Sequence, residues 1–141
     1  MSFEELYQEI LLDHYQRPRH AGPVTGATCS EHEHNPLCGD DITIHMKITD
    51  GKIADIGFEG KGCAISMASA SMMTDQIEGK LVEDAKREVN TFLAIMRDED
   101  SFDNHPEFDD ATSLNGVKKL HARIKCATLS WNTAKKMLEE E

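Results

Sequence analysis

The chain has 141 residues, 39% of them hydrophobic, enough for one ordinary domain with a real core and too few for a second, so residues 1–141 are read as a single domain. A net charge of −11 and a pI near 5.0 exclude a basic patch of the kind that grips a nucleic-acid backbone or an anionic membrane, while leaving a positively charged protein partner open. No apolar run reaches membrane-spanning length and the amino terminus lacks the basic-then-apolar pattern of a secretory signal, so a cytoplasmic location is expected; in that reducing compartment Cys29, Cys38, Cys63 and Cys126 read as metal ligands or reactive thiols rather than a disulfide framework.

Ser2 and Glu5 form a capping box, and Phe3, Leu6, Tyr7, Ile10, Leu11 and His14 then recur at helical spacing up to a stop at Pro18. The basic residues Arg17, Arg19 and His20 read as a solvated helix end. The Gly, Pro and Thr content of residues 21–34 predicts a loop followed by a short first strand. Residues 41–49 alternate strictly, with Ile42, Ile44, Met46 and Ile48 on one face. The return run from Ile53 to Phe58 puts Ala54, Ile56 and Phe58 on a common face, with Asp50 and Gly51 marking the turn. A three-residue loop of Asp50, Gly51 and Lys52 keeps the faces in phase, setting Ile48 opposite Ala54, Met46 opposite Ile56 and Ile44 opposite Phe58. Extended to its open end, that ladder brings Asp40 opposite Gly62 and Gly39 opposite Cys63, so Cys38, Asp40 and Cys63 converge.

Gly60 and Gly62 flank a turn into a helix rich in small residues, ended by Gly79, with Ile65, Ala68 and Met72 inward and the Met72/Met73 pair as core filler. Cys63 falls at its amino end, where unpaired N–H groups and the helix dipole favour an anion. A second helix follows with the stripe Leu81, Ala85, Val89, Phe92, Leu93 and Met96. Residues 98–113, with Asp98, Glu99, Asp100, Asp103, Glu107, Asp109 and Asp110, read as an exposed acidic connection that lacks the calcium-loop spacing and its central glycine. After a helical turn over residues 113–119, a last helix runs from Ala127 to about Leu138 with Trp131 and Ala134 inward, which puts Cys126 also at a helix amino terminus.

Cys38, Cys63 and Cys126 with Asp40 make a three-sulfur, one-oxygen set that suits tetrahedral zinc. An aspartate among cysteines, harder and more readily exchanged, marks a site built to open, and Lys61, Arg123 and Lys125 stand close in sequence to offset its excess negative charge. Two other readings stand beside it: the cysteines as small buried hydrophobes with Asp40 a turn residue, and a rival ligand set of Cys29, His32 and His34. His45 and His121 are read as sitting on polar faces.

The stretches from Asn35 to Asp40, from Gly60 to Thr74 and from Arg123 to Trp131, in that order, closely resemble the SufU branch of the IscU-like (NifU N-terminal-like) family of iron-sulfur cluster biogenesis proteins, over nearly the whole chain. The resemblance implies an α+β fold, a small antiparallel sheet of about three strands with helices packed on one side. It implies zinc on Cys38, Asp40, Cys63 and Cys126, and a sulfurtransferase-type role in which Cys38 accepts persulfide sulfur from a PLP-dependent cysteine desulfurase once that partner offers a replacement ligand. The sulfur would pass to a downstream acceptor or the cluster assembly machinery. The alternative is a scaffold on which an iron-sulfur cluster is assembled transiently. Two departures from IscU proper weigh against scaffolding: Lys125 stands where IscU carries a histidine before its last cysteine, and no Leu-Pro-Pro-Val-Lys chaperone signal is present. Cys29 is outside the family pattern.

Overall fold

A computed structural model describes residues 2–36 and 39–141, apart from the side chain of Phe3. The elements in chain order are α1 (Phe3–Gln16), β1 (Cys29–Asn35), β2 (Asp40–Thr49), β3 (Lys52–Lys61), α2 (Ala64–Ile77), α3 (Val82–Met96), two 3₁₀ segments (Phe102–Asn104 and Asp110–Lys119) and α4 (His121–Glu139). The strands form one antiparallel sheet in the order β1-β2-β3. Its inner face carries Ile42, Ile44, Met46, Ile53, Ile56 and Phe58, all buried, while Thr43, His45, Lys47 and Glu59 face outward. The helices cover the inner face, α4 over β1 and β2 and α2 beside β3. The α+β expectation holds.

The β2–β3 hairpin corrects the predicted turn. Thr49 pairs with Lys52, so the loop has only Asp50 and Gly51, both with left-handed φ (54° and 73°), the two-residue geometry whose twist matches the flanking strands. Ile48 lies opposite Ile53 rather than Ala54. A register irregularity next to Lys47 and Ile48 absorbs the extra residue, and beyond it Met46 faces Ile56 and Ile44 faces Phe58 as expected. Ala54 is consequently exposed and Ile53 takes the core position.

Ser2 caps α1 by accepting the Glu5 N–H at 3.1 Å. Arg17 and Arg19 both pair with Asp13, and His20 Nδ1 lies 3.0 Å from Glu78 Oε2, so the basic cluster is engaged locally by acids. His14 is fully buried: its Nδ1 lies 2.7 Å from Ser71 Oγ and its Nε2 2.7 Å from Asp110 Oδ2, while the Arg19 N–H donates to the same hydroxyl at 2.7 Å. This chain of bonds ties α1 to α2 and to the second 3₁₀ segment.

Helix α2 is central, with Ser66, the run from Ala68 to Thr74, and Ile77 all buried. Its small side chains let neighbouring helices approach on several sides. In α3 the stripe holds except at its start, where Leu81 is the N-cap and 54% exposed while Val82 turns inward. Asp98, Glu99, Asp103, Glu107 and Asp109 of the acidic connection are exposed as expected, but Ala111 and Ser113 are buried and Phe102 and Phe108 reach back into the core and pack against Phe92, whose ring stacks on Trp131 at 3.8 Å. Two aromatic anchors thus hold a segment that its charge alone marks as solvated.

Helix α4 begins at His121, six residues before the predicted Ala127. Leu120 precedes it without a side-chain cap, so no capping residue marks the start. Cys126 therefore sits inside the helix, buried to 1% exposure, and not at its amino terminus. Among the described residues no helix is long and apolar enough to cross a membrane.

Candidate metal centre

Asp40 opens β2 opposite Asn35, one residue before the Asp41–Lys61 pair that ends the β2–β3 ladder. The next step along β3 brings the chain to Gly62 and Cys63. There the Cys63 N–H donates to Asp40 Oδ1 at 2.9 Å, and Cys63 Sγ lies 4.0 Å from Asp40 Oδ2. Gly62 is what permits this approach, because a Cβ at that position would stand 2.4 Å from Asp40 Oδ1. The carboxylate has no exposure to solvent. A charge so placed needs bonded or cationic partners.

Cys63 is the N-cap of α2 as predicted. Its sulfur takes the capping role normally filled by a hydroxyl or carboxylate, accepting the Ser66 N–H at 3.4 Å. Cys126 reaches the same place from α4. The crossing of α4 on α2 is pinned by Ser69, whose hydroxyl donates to the carbonyl of Ala127 at 2.5 Å and accepts the Trp131 indole N–H at 2.9 Å. This clamp sits next to Cys126 in the chain. Sequence reasoning put Trp131 inward but missed Ser69; the signal was a buried indole, whose N–H needs an acceptor, beside a helix rich in serines.

One oxygen of Asp40 and the sulfurs of Cys63 and Cys126 all lie within 4.8 Å of one another. Residues 23 and 63 positions apart along the chain are thus gathered at the open end of the hairpin. Cys38, two residues before Asp40, lies outside the described residues. Two sulfurs and a buried carboxylate oxygen at this separation fit zinc, which takes Cys sulfur and Asp oxygen in one shell. Lys61, Arg123 and Lys125 are all exposed beside these positions in sequence.

The rival set does not assemble. His32 and His34 share the exposed face of β1, with His32 Nε2 bonded to Asp41 at 2.9 Å, whereas Cys29 faces the other way, partly buried against the core. Burial, and then the Glu141 carboxylate, push the Cys29 thiol up from its ordinary range, opposite to what a reactive thiolate requires. His45 bonds Ser30 and Glu59 on the outer face of the sheet, and His121 is exposed.

A family model described as NifU-like N terminal domain matches residues 6–137. The chain is 41% identical over 140 residues to the zinc-dependent sulfurtransferase SufU of Bacillus subtilis (strain 168), covering 99% of this chain and 94% of the relative. It is 40% identical over 134 residues to the iron-sulfur cluster assembly scaffold protein IscU of Streptococcus pyogenes serotype M1, covering 95% and 83%. Among solved structures, a SufU described as a candidate cluster assembly scaffold for the SUF system of Fervidobacterium islandicum AW-1 matches with a TM-score of 0.83 at 31% identity, over 96% of this chain and 98% of that one.

Proposed function

Because the chain belongs to the NifU-like N-terminal domain family, and within it to the SufU and IscU proteins of iron-sulfur cluster assembly, we propose that it is a zinc-dependent sulfur-transfer protein that accepts persulfide sulfur from a PLP-dependent cysteine desulfurase. The observation that carries this reading is the approach of Asp40, Cys63 and Cys126 to within 4.8 Å, the donor chemistry of a zinc shell in a chain similar to a zinc-dependent sulfurtransferase.

Cys38, Asp40, Cys63 and Cys126 would hold the ion. Bound zinc supplies a redox-inert positive charge that keeps thiols ionised and shields them from oxidation. Cys38 is the acceptor: its thiolate attacks the outer sulfur of the desulfurase persulfide, the old S–S bond breaks, and the desulfurase cysteine leaves as a thiolate. The sulfane sulfur then rides on Cys38 with no net oxidation or reduction, until a reductant or downstream acceptor of the assembly machinery takes it. Asp40 and Cys63 are held in position by the 2.9 Å bond between them and by the Ser66 N–H, and Cys126 by its burial in α4. Lys61, Arg123 and Lys125 offset the anionic charge.

The test is stimulation of a cysteine desulfurase in vitro, with metal content measured on the protein as purified. Cys38→Ala should abolish stimulation while leaving the fold intact; full stimulation by that variant would end the acceptor role. The similarity to proteins named as scaffolds favours a second reading, assembly of a cluster on the same residues. A stable, transferable [2Fe-2S] cluster after anaerobic reconstitution, with no response of the desulfurase, would establish that reading instead.

A further inference from the structure

We propose a second divalent-cation site at the opposite end of α2, built from His20, Asp55 and Glu78. These residues come from the loop after α1, from β3 and from the C-cap of α2, and one donor atom of each lies within 4.8 Å of the others. His20 Nδ1 stands 3.0 Å from Glu78 Oε2, and Asp75, a turn earlier on α2, brings its Oδ1 to 3.9 Å from His20 Nε2.

The imidazole is aimed rather than loose. His20 has a left-handed φ of 59°, and its backbone is fixed to β3: the Phe58 N–H donates to the His20 carbonyl at 3.1 Å and the Gly22 N–H to the Phe58 carbonyl at 2.8 Å. Gly57 admits this close passage, since a Cβ there would meet the Gly22 carbonyl oxygen at 2.4 Å. Asp55 is oriented by the Ile56 N–H, which donates to its Oδ1 at 2.9 Å.

Charge argues for a cation. Three carboxylates meet one imidazole, so an ion pair of protonated His20 with Glu78 leaves Asp55 and Asp75 unbalanced. Lys47 lies across the ladder from Asp55, yet among the described residues it forms no ion pair with it. The carboxyl end of a helix adds further negative potential at Glu78. An imidazole nitrogen with carboxylate oxygens suits first-row divalent ions such as Mn²⁺ or Fe²⁺, a harder set than the sulfur-rich donors at Cys63. The 14 residues of α2 separate the two ends by about 21 Å.

The protein as purified, its metal content measured, is titrated with Mn²⁺, followed by calorimetry and by paramagnetic broadening of amide resonances. One added ion per chain is expected, with broadening at substoichiometric Mn²⁺ steepest at residues 19–22, 54–57 and 75–79 and falling off with distance from them. His20→Asn keeps a residue suited to left-handed φ, and Glu78→Gln changes an exposed helix end; each should weaken Mn²⁺ binding at least about tenfold. Asp40→Ala should leave it unchanged, so the result is independent of sulfur transfer. Broadening whose maximum lies elsewhere on the acidic surface, or affinity unchanged within about twofold in both His20→Asn and Glu78→Gln, overturns the proposal.

Discussion

Replacing Gly62 by alanine tests whether the candidate metal centre depends on a gap of one methyl group. The added Cβ would stand 2.4 Å from Asp40 Oδ1 and 3.0 Å from its Cγ, roughly 1 Å inside the distance at which non-bonded atoms rest. Asp40 is fully buried, so its carboxylate cannot swing into water. Either it withdraws, losing the Cys63 N–H bond, or residues 61–63 shift and carry the Cys63 sulfur with them. A hydrogen bond to a charged group contributes about 1.5–3 kcal/mol, and about 1.4 kcal/mol is tenfold in an equilibrium, so metal affinity should fall by about 10- to 100-fold. Global stability should fall by no more than about 1–3 kcal/mol, because Gly62 precedes α2 and leaves its helical bonds in place. Competition against a chromogenic chelator measures the first quantity and urea denaturation the second. Metal affinity within about twofold of the parent, with Asp40 still bonded to the Cys63 N–H in a structure of the variant, would refute the steric argument.

Ser69→Ala should lower stability by about 1–3 kcal/mol, seen as a lower urea midpoint at unchanged slope, because it strands the buried Trp131 indole N–H and removes a bond to the Ala127 carbonyl. Phe92→Ala should destabilise by about 3–5 kcal/mol and erase much of the near-ultraviolet circular dichroism, since Phe92 stacks on Trp131 and carries Phe102 and Phe108. Asp100 is held down at about 2, by the Asn104 amide first and then by His105 and the Ser101 N–H, while the Asp100 carboxylate raises His105 above its usual 6.5. The sign follows from each direction: the Asp100 contribution to stability is present above the ordinary 3.8 and is lost as pH falls toward about 2, and the His105 contribution is present below 6.5 and is lost as pH rises through its elevated value. Stability from this pair should therefore plateau between about pH 4 and 6.5. An NMR titration in which Asp100→Asn fails to lower the His105 midpoint would contradict the assignment.

What the sequence made legible follows from which signals are local. The alternation from Ile42 to Ile48 and the cysteine after Gly62 are properties of a few neighbouring residues, and the hairpin, the α2 N-cap and the meeting of Asp40 with Cys63 all follow from them. The loop length was hidden by parity: a two-residue turn plus one bulged residue leaves the far end of the ladder in the same phase as a three-residue turn, so the register toward Asp40 survived an error at Ile48. Phe102 and Phe108 stand among acids with no apolar residue between them to mark a strand or helix period, and the His14–Ser71–Asp110 chain spans separations of 57 and 96 residues. The misread start of α4 has a chemical consequence. With no capping side chain at Leu120 and exposed residues from His121 to Arg123, the buried pattern becomes plain only near Cys126, which makes that cysteine look like a twin of Cys63. The two are physically unlike. Cys63 is partly exposed and held by a helix-end N–H, whereas Cys126 is enclosed in the second turn of a helix whose crossing is locked by Ser69. Were both to bind one ion, the sulfur of Cys126 would be the one set by helix packing, and that of Cys63 the one set by its 3.4 Å contact with the Ser66 N–H and by the bond of its own N–H to Asp40.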